Sequence, residues 1–129
     1  MEPTTNTTKI LCVEDEHFIS ELYNRALTKA GYEVKTVLDG LDAYKEAQTD
    51  AYDIILLDIM LPNMTGLDIL DKLRSSDAPQ IKAKIIIATN LEQSEENRLA
   101  VEEKADAYIV KAEMTPRQLV EFIAQFKTA

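Results

Sequence analysis

One short stretch near the middle of the chain constrains the fold most strongly. Residues 54–57 are four consecutive aliphatic side chains, and Asp58 follows them directly. A run this short and this apolar predicts a central strand covered on both faces. Pro62 and Gly66 then mark a loop. Asp58 should therefore lie at the carboxyl end of a buried strand, the edge where open α/β sheets bind ligands. The simpler alternative is an Asp that caps a turn.

Apolar runs and helical periodicities alternate along the chain. The predicted strands are 9–13, 32–38, 54–58, 84–88 and 107–110, and the second has the polar character of an outer strand. The predicted helices are 18–31, 41–48, 66–75, 93–104 and one that begins at Pro116 after a Thr115 cap. The apolar residues of the first helix fall at helical spacing and are Phe18, Ile19, Leu22, Tyr23, Ala26 and Leu27. Five strand–helix repeats predict an α/β fold, a parallel sheet with helices on both faces.

Length, charge and cysteine content restrict the class of protein. A chain of 129 residues is one domain by length, and its polar start predicts a flexible tail over residues 1–8. A net charge of −9 argues against direct nucleic-acid binding and is typical of a solvated acidic surface or of a protein with a basic partner. The single Cys12 fits a reducing compartment and an inert core position. No apolar run approaches the roughly 20 residues of a membrane span, so we expect a cytoplasmic protein.

Polar residues follow the predicted strands at one edge of the sheet. They are Glu14 and Asp15 after the first strand, Asp58 at the third, Thr89 after the fourth and Lys111 after the fifth. Because parallel strands share one carboxyl edge, these side chains should meet in one pocket. Neighbouring carboxylates repel one another unless a cation is present, and Mg²⁺ bound by one or two carboxylates leaves room for a phosphoryl oxygen. Asp58 could then be a nucleophile, since carboxylates form aspartyl phosphates.

This set of residues resembles the receiver domain of two-component response regulators, in particular the chemotaxis-type single-domain receivers. The resemblance covers residues 9–127, and its matching features are Glu14, Asp15, Asp58, Pro62, Gly66, Thr89 and Lys111. It implies a flavodoxin-like, doubly wound, five-stranded parallel sheet in the order 2-1-3-4-5 with five helices.

The resemblance also implies roles for individual residues. Asp58 would accept a phosphoryl group from a histidine kinase or phosphotransfer protein, in a Mg²⁺-dependent step that the domain catalyses on itself. The implied catalytic residues are Asp58, Thr89 and Lys111. The implied metal ligands are Glu14, Asp15, Asp58 and the backbone carbonyl of Met60. The implied switch residues are Thr89 and Tyr108, which would move together on phosphorylation.

Two residues depart from the family pattern. Ala112 follows Lys111, where the family usually has Pro, often after a cis bond. A cis bond before Ala would cost about 2.5–4 kcal/mol, so we expect a trans bond and a changed loop. Asn90 follows Thr89, where the family commonly has a small residue, and its larger side chain could alter phosphoryl access or lifetime.

Three functions stay open at this point. The first is a stand-alone phosphoacceptor that switches a protein-binding face formed by helix 4, strand 5 and helix 5. The second is a receiver-like binding module that no longer switches, with Ala112 and Asn90 as signs of drift. The third is a Mg²⁺-dependent phosphohydrolase, which Met60 disfavours because that position would need a second carboxylate. His17, the one histidine, should cap the first helix or face solvent rather than act in catalysis.

Overall fold

The strand–helix alternation is confirmed in the computed structural model, which describes residues 7–75, 77, 80–89 and 95–126. The strands are β1 (Lys9–Val13), β2 (Glu33–Val37), β3 (Ile54–Asp58), β4 (Lys84–Thr89) and β5 (Ala107–Val110). The helices are α1 (His17–Lys29), α2 (Gly40–Ala47), α3 (Gly66–Leu73), α4 (Glu95–Lys104) and α5 (Pro116–Ala124). A short 3₁₀ turn, Lys111–Glu113, joins β5 to α5.

The five strands form one parallel sheet in the order β2-β1-β3-β4-β5. This is the flavodoxin-like order that the family resemblance implies, with β2 as an edge strand. All five residues of β3 are buried, as expected for a central strand. Ile54 and Leu56 face one core and Ile55 and Leu57 the other, because side chains alternate along a strand.

Helices cover both faces of the sheet. One core is completed by Ala43 and Ala47 of α2, Ile69 of α3 and Val101 of α4. The other is completed by Tyr23 and Leu27 of α1 and by Leu119 and Ile123 of α5. Thr115 caps α5 through a reciprocal pair of hydrogen bonds with Gln118, and Pro116 is its first residue, as predicted.

The predicted apolar side of α1 is partly wrong. Phe18 is 75% exposed and Leu22 is also exposed, whereas the buried residues are Ser20, Tyr23 and Leu27. At 100° per residue, Phe18 lies on the opposite side of the helix from Tyr23 and Leu27, so it cannot share their core. The predicted end of α3 also differs, because the helix stops at Leu73.

Some expectations fall on residues outside the described ranges. These are Asn90, the predicted start of α4 at residue 93 and most of the 1–8 tail; Thr8 itself is buried, and its carbonyl accepts a hydrogen bond from Glu33. Within those ranges no peptide bond is cis, in agreement with the trans bond expected before Ala112. No helix in the described part of the chain is long and apolar enough to cross a bilayer.

Candidate functional site

Sheet register brings the predicted site residues to one edge. Val13 pairs with Leu57, so Glu14 after β1 lies level with Asp58 at the end of β3. Asp58 pairs with Ala88, which places Thr89 one position further along β4. Lys111 follows β5, whose last residue pairs with Thr89. Residues that are far apart in sequence therefore come together because each one ends a parallel strand.

Three carboxylates form a cluster at this edge. Each of Glu14, Asp15 and Asp58 offers an oxygen, and these oxygens lie within 4.8 Å of one another. Glu14 and Asp58 are buried, while Asp15 is exposed to solvent. Carboxylate oxygens open to water on one side are the donor set that Mg²⁺ prefers. The residues present therefore fit the Mg²⁺ site that the family resemblance implies.

Lys111 is the cationic member of the cluster. Its Nζ donates a hydrogen bond of 3.0 Å to Asp58 Oδ2 and also contacts Glu14 Oε2. The lysine side chain is buried with its two partners. Lys111 thus contacts two of the three clustered carboxylates, and among these four side chains the excess negative charge favours a bound cation.

Burial dominates the electrostatics of this pair. It raises the pKa of Asp58 from 3.8 to about 6, and the nearby charge of Asp15 adds to the rise. Burial likewise lowers the pKa of Lys111 from 10.5 to about 8. Removal of each group from water penalises its charged form. The ionised Asp58 carboxylate and the protonated Lys111 ammonium therefore each cost the folded state free energy. Such perturbed groups are common at functional sites.

Backbone amides orient the two buried carboxylates. The Met60 amide donates to Asp58 Oδ1 at 3.2 Å, and the Glu16 amide donates to Glu14 Oε1 at 3.2 Å. The Met60 side chain is 73% exposed, so this residue contributes to the site through its backbone.

The two predicted switch residues lie on neighbouring strands. Thr89 is buried at the end of β4, next to the strand that carries Tyr108. Tyr108 is half-buried and packs against the core on the α2–α3 side of the sheet. The guanidinium carbon of Arg98, on α4, lies 5.2 Å from the centroid of the Tyr108 ring, within cation–π range.

His17 and Cys12 lie apart from this chemistry. His17 begins α1 and lines a surface groove of about 730 Å³ between α1 and β2. None of the predicted catalytic or metal-ligating residues lines that groove. Cys12 is buried, and burial raises the pKa of its thiol to about 12, as expected of an inert core cysteine.

Sequence reasoning missed several residues that support the site. Glu16 stands out in the sequence only as part of an acidic run, yet its amide orients Glu14. Arg98 gives no signal, because its contact with Tyr108 depends on the placement of α4. Asp39 and Asn63 do carry a signal, since both residue types favour turns and helix caps, but nothing in the sequence shows that they meet.

Comparison with known proteins agrees with this geometry. A family model described as the response regulator receiver domain matches residues 10–124. The transcriptional regulatory protein CusR of Escherichia coli (strain K12) is 38% identical over 120 residues, which cover 93% of this chain and 50% of CusR. The alkaline phosphatase synthesis transcriptional regulatory protein PhoP of Bacillus subtilis (strain 168) is 35% identical over 86% of this chain and 45% of PhoP. The chain thus spans about half the length of the curated relatives it matches.

Solved structures give the same result. The chemotaxis response regulator CheY4 of Vibrio cholerae has a TM-score of 0.79 at 28% identity, covering 94% of this chain and 99% of that chain. A DNA-binding response regulator of the LuxR family from Staphylococcus aureus has a TM-score of 0.80 at 28% identity, with the same coverage of 94% and 99%. Because the family match spans nearly all of the folded region, the chain belongs to the receiver domain family of two-component response regulators.

Proposed function

We propose that Asp58 is the phosphoryl acceptor of this receiver domain. Receiver domains are phosphoacceptor signalling domains rather than classical enzymes, and they interact with histidine kinases or phosphotransfer proteins. The observation that carries the assignment is the 3.0 Å contact between Lys111 Nζ and Asp58 Oδ2, inside a buried cluster that includes Glu14. The other carboxylates of the cluster differ from Asp58. Asp15 is exposed, and Glu14, although it is buried and also contacts Lys111, follows β1 rather than ending the central strand.

In the proposed step, an Asp58 carboxylate oxygen attacks the phosphorus of a phosphohistidine on the donor protein. The new O–P bond forms as the P–N bond breaks, and the donor imidazole leaves with its electron pair and takes up a proton. Lys111 holds the carboxylate in place and stabilises negative charge on the phosphoryl oxygens. Mg²⁺, held by Glu14, Asp15, Asp58 and the Met60 carbonyl, would supply further neutralisation of that charge. Thr89 would donate its hydroxyl to a phosphoryl oxygen.

The proposed output is a change at the face formed by α4, β5 and α5. Thr89 and Tyr108 lie on β4 and β5, so a shift at the phosphorylated edge reaches this face through adjacent strands. A nearly complete switch requires about 5.5 kcal/mol of differential stabilisation between the two states. The partner on this face is proposed to be another protein.

The acceptor is tested by incubation of the chain with a small phosphodonor, with and without Mg²⁺, followed by mass spectrometry. We expect one added phosphoryl group that requires Mg²⁺ and is lost in Asp58→Asn. Asp53→Asn is the matched control, because Asp53 directly precedes β3 at the opposite edge of the sheet. Labelling that persists in Asp58→Asn would show that the acceptor is wrongly assigned.

Switching is tested separately with beryllofluoride and Mg²⁺, which mimic the phosphoryl group. Amide NMR signals of Thr89, Tyr108 and α4 are expected to shift. Signals that stay unchanged at saturating beryllofluoride would favour the alternative, a receiver-like binding module that no longer switches.

Three further expectations stay predictions. They are the stand-alone role, the absence of direct nucleic-acid contact and the cytoplasmic location. The curated relatives are about twice as long, and CusR and PhoP are named as transcriptional regulatory proteins. The division into a tail at 1–8 and a receiver domain at 9–127 is likewise a proposal.

A further inference from the structure

The loop between β3 and α3, residues 59–65, is held by the start of α2. The Gly40 amide donates to the Pro62 carbonyl at 3.0 Å. The side-chain amide of Asn63 donates to Asp39 Oδ2. Asp39 and Asn63 thus form a bridge, here called the Asp39–Asn63 bridge, between two loops that both lie beside the acidic edge.

The backbone of this loop is also in close contact with Gly40 of α2 and with Gly66, the first residue of α3. A Cβ on Gly40 would lie 1.7 Å from the Met64 carbonyl oxygen, so α2 packs directly against the loop. A Cβ on Gly66 would lie 2.0 Å from the Asp58 carbonyl oxygen, and the Gly66 amide donates to Ile59 at 2.9 Å. The loop therefore has little freedom to move while these contacts hold.

Asp39 is suited to this role because its two carboxylate oxygens accept hydrogen bonds from different donors. Oδ1 accepts from the amides of Leu41 at 2.7 Å and Asp42 at 3.0 Å, which caps α2. Oδ2 is left to accept from Asn63. The Asp42 amide and the Asn63 side chain hold the pKa of Asp39 below its usual value, so the bridge is a charge-assisted hydrogen bond.

Asn63 has a backbone that suits it to this position. Its φ is +69°, in the left-handed region that Asn adopts more readily than most residues other than Gly. The side chain therefore reaches Asp39 from a turn that few other residues could occupy. Met60, the predicted backbone ligand for Mg²⁺, lies three residues earlier in the same loop.

We propose that Asp39 and Asn63 are positioning residues for the metal site. Their bridge fixes the loop so that the Met60 backbone stays beside Asp58, where its amide already contacts Oδ1 at 3.2 Å. This proposal rests on the proposed function, because it assumes that Mg²⁺ binds at the acidic cluster. Substitution of residues that orient metal ligands typically lowers metal affinity by about 10–100-fold.

The test is a Mg²⁺ titration of the full chain followed by amide NMR. Asn63→Gly removes the side chain but keeps a residue that tolerates positive φ. The double variant Asp39→Asn with Asn63→Asp exchanges donor and acceptor, so that the amide now donates from position 39. The wild type, Asn63→Gly and the double variant all carry the same net charge, which removes long-range electrostatics from the comparison.

We expect Mg²⁺ to bind about tenfold more weakly to Asn63→Gly and to regain most of its affinity in the double variant. Asn63→Asp alone places two carboxylates face to face and should also weaken binding, although its added negative charge by itself would attract Mg²⁺. Thermal unfolding without metal shows whether each variant is folded. A merely structural bridge would change the unfolding temperature and leave the Mg²⁺ affinity of the folded protein unaltered.

An Asn63→Gly variant with wild-type Mg²⁺ affinity would overturn the proposal, and so would a wild-type chain that binds no Mg²⁺. Failure of the proposed function is a different result. A wild-type chain that binds Mg²⁺ but is not labelled at Asp58 would refute the phosphoacceptor assignment, while the effect of the bridge is still judged from Mg²⁺ affinity.

Discussion

Asp58→Asn is expected to make the metal-free protein more stable at pH 7. Asp58 is almost completely buried, and burial raises its pKa from 3.8 to about 6. At pH 7 the native state therefore holds an ionised carboxylate in surroundings that disfavour its charge. Asn has nearly the same shape and carries no charge, so it removes this cost.

The magnitude follows from the pKa of Asp58. Each pKa unit corresponds to about 1.4 kcal/mol, so the rise from 3.8 to about 6 corresponds to about 3 kcal/mol. Asn has one side-chain oxygen, whereas Asp58 accepts from both the Met60 amide and Lys111. With the amide oxygen turned toward Lys111, the bond that is lost is the neutral one from the Met60 amide, at a cost of about 1 kcal/mol. The net gain in the free energy of unfolding at pH 7 is therefore about 2 kcal/mol.

The pH dependence gives an independent check of the sign. Between pH 3.8 and about 6 the native state binds the Asp58 proton more tightly than the unfolded state does. The contribution of Asp58 to the free energy of unfolding of the wild type therefore falls as the pH rises through this window. Asp58→Asn has no such pH-dependent contribution. The difference in free energy of unfolding between the variant and the wild type should therefore grow from pH 4 to pH 7.

The assay is urea unfolding followed by circular dichroism in metal-free buffer at several pH values. Asp53→Asn, at the other edge of the sheet, makes the same chemical change outside the acidic cluster and is the comparison variant. An Asp58→Asn variant that is less stable than the wild type at pH 7, or an advantage that does not change with pH, would refute this reasoning.

Three other predictions concern the surroundings of the site. Lys111→Met leaves two buried carboxylates without their cation and should lower the free energy of unfolding by about 3–5 kcal/mol; urea unfolding should show that millimolar Mg²⁺ recovers part of this loss. Gly66→Ala places a Cβ 2.0 Å from the Asp58 carbonyl oxygen and should destabilise the protein by roughly 2 kcal/mol or more, measured in the same way. Arg98→Ala removes the cation–π contact, which should lower the free energy of unfolding by about 0.5–1 kcal/mol and shift the NMR signals of the Tyr108 ring. An unchanged ring spectrum would exclude that contact in solution.

The sequence is most informative where the local signal and the global fold agree. The aliphatic run at 54–57 predicts a strand buried on both faces, and β3 is one. The alternation of strands and helices then requires a parallel sheet, whose geometry sends every strand-end residue to the same edge. For this reason the pattern alone predicts that Asp58 and Lys111 meet, although they are 53 residues apart. The strand order itself follows from the family resemblance.

Helix faces are harder to predict. The spacing of apolar residues in α1 is correct for Tyr23 and Leu27 but wrong for Phe18, which is exposed. The spacing of apolar residues identifies the buried face of a helix only when all of them lie on that face, and Phe18 does not. Which side of α1 is covered depends on where β1 and α5 lie, and a single sequence does not contain that information.

Only the tertiary structure decided the contacts between loops. Asp39 and Asn63 are 24 residues apart, and each by itself suggests no more than a cap or a turn. Their hydrogen bond exists because Gly40 has no side chain and lets α2 approach the β3–α3 loop. Strand-end residues are placed by regular backbone geometry, which a sequence pattern encodes. Contacts between side chains on irregular loops depend on the packing of the whole domain, which no local pattern encodes.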